Sequence, residues 1–240
     1  MNATLTLTKL DVLRVRRNTR YLILAIAMPA VLYIAVGNST KQTSGVEFKA
    51  YYMLAMATYG AFAGALMNNA ARISTERKTG WTRQLQLTPL PGGGYVFSKI
   101  VASLVTTIPS VVVVFVLGGT VFHVHMDAWK WVVIALVLWL TSMVFVSLAV
   151  AIGYRFDPDA TQPAVMLVFF PMAILGGLWF PLEGTLEKIG KWFPTYQAHK
   201  LGTDIISTGR ISMESVGIIA GWAVVFAALA VVSYRSAQEQ

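Results

Sequence analysis

The stretch WVVIALVLWLTSMVFVSLAVAIGY, residues 131–154, decides how this chain must fold. It holds no Asp, Glu, Lys or Arg, and apart from its aromatic rings its only polar side chains are hydroxyls. Crossing a hydrocarbon core of ~30 Å takes about 20 mostly apolar residues in a helix, because only a helix or a closed barrel pairs every backbone N–H and C=O without water. Outward from this stretch lie five more charge-free segments, at 21–37, 50–71, 100–122, 161–180 and 216–234. The composition agrees. Of 240 residues 56% are hydrophobic and 12% charged, the latter about half the usual quarter for a soluble domain. So few charges exclude an ordinary cytosolic enzyme, a disordered chain and a secreted disulfide scaffold. With no cysteine, Cys-based metal sites and nucleophiles are excluded as well. The expected fold class is therefore an all-α integral membrane protein with six transmembrane helices.

Basic residues set the orientation. Lys9, Arg14, Arg16, Arg17 and Arg20 precede the first segment, whereas only Lys41 and Lys49 follow it before the second. Both termini are accordingly expected in the cytoplasm, with twelve of the 19 Lys and Arg on that side. The net charge of +8 then serves topology, with anionic lipid headgroups as its partner and no call for nucleic acid. A cleaved leader ending at Ala35-Val36-Gly37 is the competing reading of the first segment. Pro29 in its middle, a basic stretch of some 20 residues before it and five spans after it favour a retained signal anchor.

The segments carry no acidic, basic or imidazole side chain. Besides hydroxyls, their polar residues are Asn68 and Asn69 near the inner end of the second and Gln162 at the start of the fifth. Ion-coupled transport normally keeps an acidic, basic or imidazole group inside the bilayer, so proton antiport is disfavoured, and an intramembrane enzyme for the same reason. His123, His125 and His199 are all expected in outer loops, and no metal site is expected. Pro91-Gly92-Gly93-Gly94-Tyr95 lacks the Gly-Lys-Ser/Thr of a phosphate-binding loop; if ATP drives this protein, a partner hydrolyses it. Gly60 with Gly64, and Gly217 with Gly221, form two G-x-x-x-G patterns suited to close helix packing, within the chain or at a dimer seam. Pro29, Pro109 and Pro171 are expected to kink their helices.

Three segments outside the spans stand out. Residues 1–20 are expected to form a cytoplasmic interfacial helix, started by the capping pattern Thr8-Lys9-Leu10-Asp11 with Leu10 and Leu13 on its apolar face. Residues 72–99 make an inner loop far longer than two antiparallel helices need. Within it Ser74 or Thr75 can cap a short helix, Gly80 allows a break, and Pro89 and Pro91 end the element. In 181–215, Leu182, Leu186, Ile189 and Phe193 share one helical face, and Tyr196, Leu201 and Ile205 suggest a second short outer helix.

The order Glu76-Arg77-x-x-Gly80-x-x-x-x-Leu85-x-x-Thr88-Pro89-Leu90, with Lys99 nine residues on, resembles the signature of ABC-2 type permeases. These are membrane subunits of bacterial ABC exporters of the drug-resistance kind (daunorubicin-resistance-like), of antibiotic self-protection and of polysaccharide export. The resemblance covers essentially the whole chain, 1–240, as a single transmembrane domain with a type V exporter-like arrangement. It implies that 72–99 holds a coupling helix seated in a groove of a separate ABC ATPase subunit, which would bind the ATP and Mg that this chain does not. Glu76 and Arg77 would act at its base, Gly80 would make the turn, and Leu85 and Leu87 would be apolar docking contacts, with Arg83, Thr88 and Pro89 in the same element. It also implies outer helices that lid the exit path, localisation in the bacterial plasma membrane, and pairing with a second permease subunit, most simply a homodimer. Tyr59, Phe62, Phe169, Phe170 and Met172 on the second and fifth spans are candidates for the substrate path, suited to amphiphilic drugs, antibiotics, lipids or peptides. The rival function is a membrane sensor of the same fold without net transport.

Overall fold

The computed structural model describes residues 3–38, 42–43, 45–88 and 92–238. The described residues form helices α1 (Ala3–Arg17), α2 (Thr19–Val36), α3 (Phe48–Lys78), α4 (Trp81–Gln86), α5 (Gly92–Thr120), α6 (Ala128–Arg155), α7 (Pro158–Leu175), α8 (Gly184–Gly190), α9 (Pro194–Thr208) and α10 (Met213–Gln238). A short antiparallel hairpin, β1 (Gln42–Thr43) with β2 (Val46–Glu47), precedes α3. Each charge-free segment falls on its own helix: α2, α3, α5, α6, α7 and α10. Among the described residues, four stretches are long and apolar enough to cross a membrane: Phe97–Thr120, Ala128–Arg155, Pro158–Leu175 and Met213–Ala237. The outer surface matches that environment. Ile108, Val112 and Val116 on α5, Val132, Leu136 and Leu140 on α6, and Val224, Leu229 and Val232 on α10 are all exposed. Such extensive apolar exterior is untenable in water and natural in lipid. The chain is a multi-pass membrane protein.

The apolar stretch of α2 that falls among these residues, Ala25–Val36, is shorter. α3 differs from the four apolar helices for a physical reason. It is the central helix, packed by α2, α5, α6, α7 and α9, and every residue from Ala50 to Leu66 is buried. A helix walled by protein has no need of lipid-grade hydropathy; it needs small residues that let neighbours approach. Gly60 and Gly64 supply this. A Cβ at Gly60 would lie 2.0 Å from Ser110 Oγ, and one at Gly64 would lie 3.1 Å from Thr106 Oγ1. Thr106 Oγ1 donates back to the Gly64 carbonyl at 3.3 Å. This G-x-x-x-G pattern therefore packs α3 on α5 within the chain. Gly217 and Gly221 meet nothing within 4 Å, and α10 leaves that face open.

Several expectations are corrected. The inner loop is shorter than 72–99, because α3 continues to Lys78 and α5 begins at Gly92. Ser74 and Thr75 therefore lie inside a helix and cap nothing. α1 begins at Ala3, so Thr8 also lies mid-helix and donates to the Thr4 carbonyl at 2.8 Å. Its inward face is Leu7, Thr8, Asp11 and Val15, while Leu10 and Leu13 point outward. In the 181–215 segment α8 spans only Gly184–Gly190, and Leu186 and Ile189 stay about half exposed while Leu182 is buried.

His199 was expected in a loop but lies on α9, packed edge-on against Tyr51, with Nε2 donating to the Tyr51 carbonyl at 3.2 Å. Burial disfavours the imidazolium and lowers its pKa to about 4, partly offset by that carbonyl. A depressed histidine pKa means the unfolded chain binds more protons between the two values. Stability is complete above about 6.5 and falls as pH drops towards 4, by at most about 3 kcal/mol. Melting in detergent across this window is expected to show that slope, and His199→Gln to flatten it; an unchanged slope would refute the assignment. In the same assay Gly60→Leu is expected to cost about 1–3 kcal/mol by overpacking, and Gly217→Leu almost nothing.

Candidate functional site

The helix that carries the loop signature is an extension of the central helix. α3 ends at Lys78, Thr79 and Gly80 turn the chain, and α4 starts at Trp81. Gly80 sits at φ 73°, ψ 8°, a left-handed conformation that costs a side-chain-bearing residue ~1–2 kcal/mol. The turn is thus written into the glycine, as expected. Thr88 closes the far end, its Oγ1 donating to the Leu85 carbonyl at 2.6 Å.

At the base of this turn lies a buried charge cluster. Lys99, fully buried near the start of α5, places Nζ 2.8 Å from Glu76 Oε1 on α3 and 3.0 Å from Asp11 Oδ2 on α1. Asp11 is also fully buried and accepts from Arg72 Nη2 at 2.7 Å. Tyr95 donates its hydroxyl to Glu76 Oε2 at 2.8 Å, and Ser98 Oγ lies 3.0 Å from Asp11 Oδ2. The Lys99 ammonium also faces the Tyr95 ring, 4.9 Å from its centre. Two carboxylates and two cations balance, and the four carboxylate oxygens all have donors. The whole assembly ties α1, α3 and α5 together at one end of the bundle.

Arg77 extends the ties to α6 and α7. It donates to the Tyr154 carbonyl, to the Phe156 carbonyl at 3.0 Å, and to Asp157 Oδ1 at 3.1 Å, satisfying carbonyls at the end of α6 that its own helix leaves free. Under these polar contacts Leu7, Ile73, Tyr95, Val150 and Tyr154 form a small apolar core, against which Trp81 and Leu85 of α4 pack. Trp81 and Leu85 thus seat α4 on a small core shared by α1, α3, α5 and α6.

Leu85 and Leu87 thus separate: Leu85 turns inward onto this core, and Leu87 is 87% exposed. Arg83 lies on α4 but its side chain falls outside the described residues, as does Pro89 altogether. Tyr59, Phe62, Phe169 and Met172 are buried and packed together rather than facing open space, with Phe62 and Phe169 stacked at 4.7 Å and Tyr59 edge-on to Phe169 at 5.3 Å. Phe170 alone of the five is exposed. Among the described residues no group of three or more His, Asp or Glu side chains gathers as a metal site would require.

Sequence reasoning missed Asp11 and treated Lys99 only as part of a signature. Two signals were available. Asp11 is the sole acidic residue before Glu47, set among five basic ones, and it shares a helical face with Leu7 and Val15. An acid on an apolar face needs a cation brought to it. Removing one partner of a buried pair leaves an uncompensated charge. Lys99→Met is therefore expected to cost about 3–5 kcal/mol, read as a lowered Tm in detergent, and Asp11→Asn with Lys99→Met together less than the sum of the two. Strict additivity would show that the cluster is not a coupled unit.

Comparison with known proteins agrees with this architecture. Residues 33–232 match the model of the family described as "ABC-2 family transporter protein". The chain is also 22% identical over 218 residues, 89% of each protein, to "Putative transport permease YvfS" of Bacillus subtilis (strain 168). With most of its length, including the α3–α4 turn and the whole of α5, inside the matched region, the chain belongs to the ABC-2 family of transporter membrane proteins.

Proposed function

We propose that this protein is the permease subunit of an ATP-driven exporter, in which α4 is the element that a separate ABC ATPase grips. The observation that carries the proposal is the split between Leu85 and Leu87. One apolar side chain anchors α4 to its own bundle, while the other, 87% exposed, stands free at the end of a six-residue helix held by a glycine turn. An apolar side chain presented by a short helix at a bundle's polar end suits a hydrophobic groove on a partner. ATP and Mg would be bound by the partner, whose movement would reach the spans through Arg77 and the Asp11–Lys99–Glu76 cluster.

In this account six helices span the membrane, α2, α3, α5, α6, α7 and α10, with residues 1–240 acting as one transmembrane unit. Both termini lie on the cytoplasmic side of the plasma membrane, in keeping with the five basic residues that precede the charge-free part of α2. Two copies assemble, with the path between them. The apolar exterior of α5 and of Phe170 on α7 suits amphiphilic cargo, and Tyr59, Phe62, Phe169 and Met172 shape that wall from behind. Transport runs outward, with α8 and α9 covering the exit.

The test separates docking from folding. Leu87→Asp is a surface substitution expected to change stability by less than about 0.5 kcal/mol, yet to abolish copurification with the ATPase and ATP-dependent efflux. Leu85→Asp is expected to lower the melting temperature itself. Retention of assembly and efflux by Leu87→Asp would disprove the role given to α4.

A further inference from the structure

Beside the charge cluster lies a cavity of about 580 Å³, walled by Arg14 of α1, Asn68, Arg72 and Glu76 of α3, Trp81 of α4 and Gln162 of α7. Three of these side chains carry a buried N–H group without a protein partner: Asn68 Nδ2, Arg72 Nη1 and Trp81 Nε1. Asn68 is itself only 6% exposed. Unpaired buried donors are costly, and native proteins normally satisfy them. The orphans are all donors, so the missing partner is an acceptor.

Charge points the same way. The oxygens of Glu76 are engaged by Lys99 and Tyr95, and Arg72 spends Nη2 on Asp11 while Nη1 stays free. Asp11 and Glu76 offset Arg72 and Lys99. Arg14, which stacks over Trp81 at 4.9 Å, forms no ion pair with a carboxylate among the described residues, leaving the wall with one uncompensated positive charge. Guanidinium groups with neutral N–H donors between them match the oxygens of a phosphate. The remaining wall includes Met67 and Ala71, and α1 next to it turns Leu5, Leu10 and Leu13 outward, as a helix lying at headgroup depth does.

We propose that this cavity binds a phosphate-bearing anion, supplied by the headgroup of a glycerophospholipid seated between α1, α3, α4 and α7. The proposal rests on the membrane placement of the chain and is independent of any ATPase. Its occupant would bridge α1 and α4, so lipid headgroup chemistry would tune how firmly α4 is held.

The experiment uses the full chain alone in a nonionic detergent, followed by native mass spectrometry and by ligand-dependent thermal stabilisation. The probes are dioctanoyl phosphatidylglycerol, dioctanoylglycerol and inorganic phosphate. The phospholipid is expected to bind at least about ten-fold more tightly than dioctanoylglycerol, and Asn68→Leu and Arg14→Gln are each expected to weaken it about ten-fold. Asn68 Nδ2 and the Arg14 guanidinium make no hydrogen bond or ion pair within the described residues, so both variants should fold, and either alone decides. Inorganic phosphate binding as tightly as the phospholipid would keep the phosphate site but overturn its lipid source. Equal binding of dioctanoylglycerol, no binding of either phosphate compound, or wild-type affinity in the variants would overturn the site itself. None of these outcomes depends on whether α4 docks an ATPase.

Discussion

The fully buried ammonium of Lys99, held between Asp11 and Glu76, is the constraint on which the rest of this architecture depends. Desolvating a lysine is unfavourable unless carboxylates meet it, and here the two carboxylates come from different helices. α1 cannot drift along the membrane surface as a free interfacial helix, because its Asp11 is committed to α5 and to Arg72 of α3. α3 cannot fray at its end, because Glu76 is held by α5. The requirement that buried charge be paired thus fixes three helices at the end where the chain turns into α4.

Above that anchor the packing follows a different rule. α3 threads the middle of the bundle and is built from Ala, Gly, Tyr and Met, with Gly60 and Gly64 pressed against Ser110 and Thr106 of α5. The helices around it carry the aliphatic residues, and much of that aliphatic surface faces outward. The division between a small-residue centre and a lipid-grade rim leaves one helix, α3, running from the turn into α4 through contacts with nearly every other long helix. Membership of the ABC-2 family gives this arrangement its context: a permease whose moving parts must answer to something outside the membrane.

Much of this was legible in the sequence, and the limits are physical. Charge-free segments located every long helix, because the cost of a bare charge in hydrocarbon leaves a gap in the sequence that needs no structure to see. The turn at Gly80 was legible for a similar reason, since few residues other than glycine accept its φ. What could not be read was partnership across distance. Thr8-Lys9-Leu10-Asp11 has the spacing of a helix cap, and local spacing does not reveal that Asp11 is paired 88 residues away with Lys99. Likewise the alternation of Leu85 and Leu87 says that they face differently, not which one the bundle covers. His199, polar and followed by Lys200, reads as a loop until Tyr51 is brought against it.

The central claim is that the charge cluster makes α1, the end of α3 and α4 move as one body. The chain has no cysteine, so a pair of introduced ones can be spin-labelled cleanly. Labels at Leu10 on α1 and Gln84 on α4, both exposed, allow a distance distribution to be recorded by double electron–electron resonance in lipid nanodiscs. The account predicts one narrow distribution that Lys99→Met broadens. A distribution already broad in the otherwise unmodified chain, or one indifferent to Lys99→Met, would contradict it.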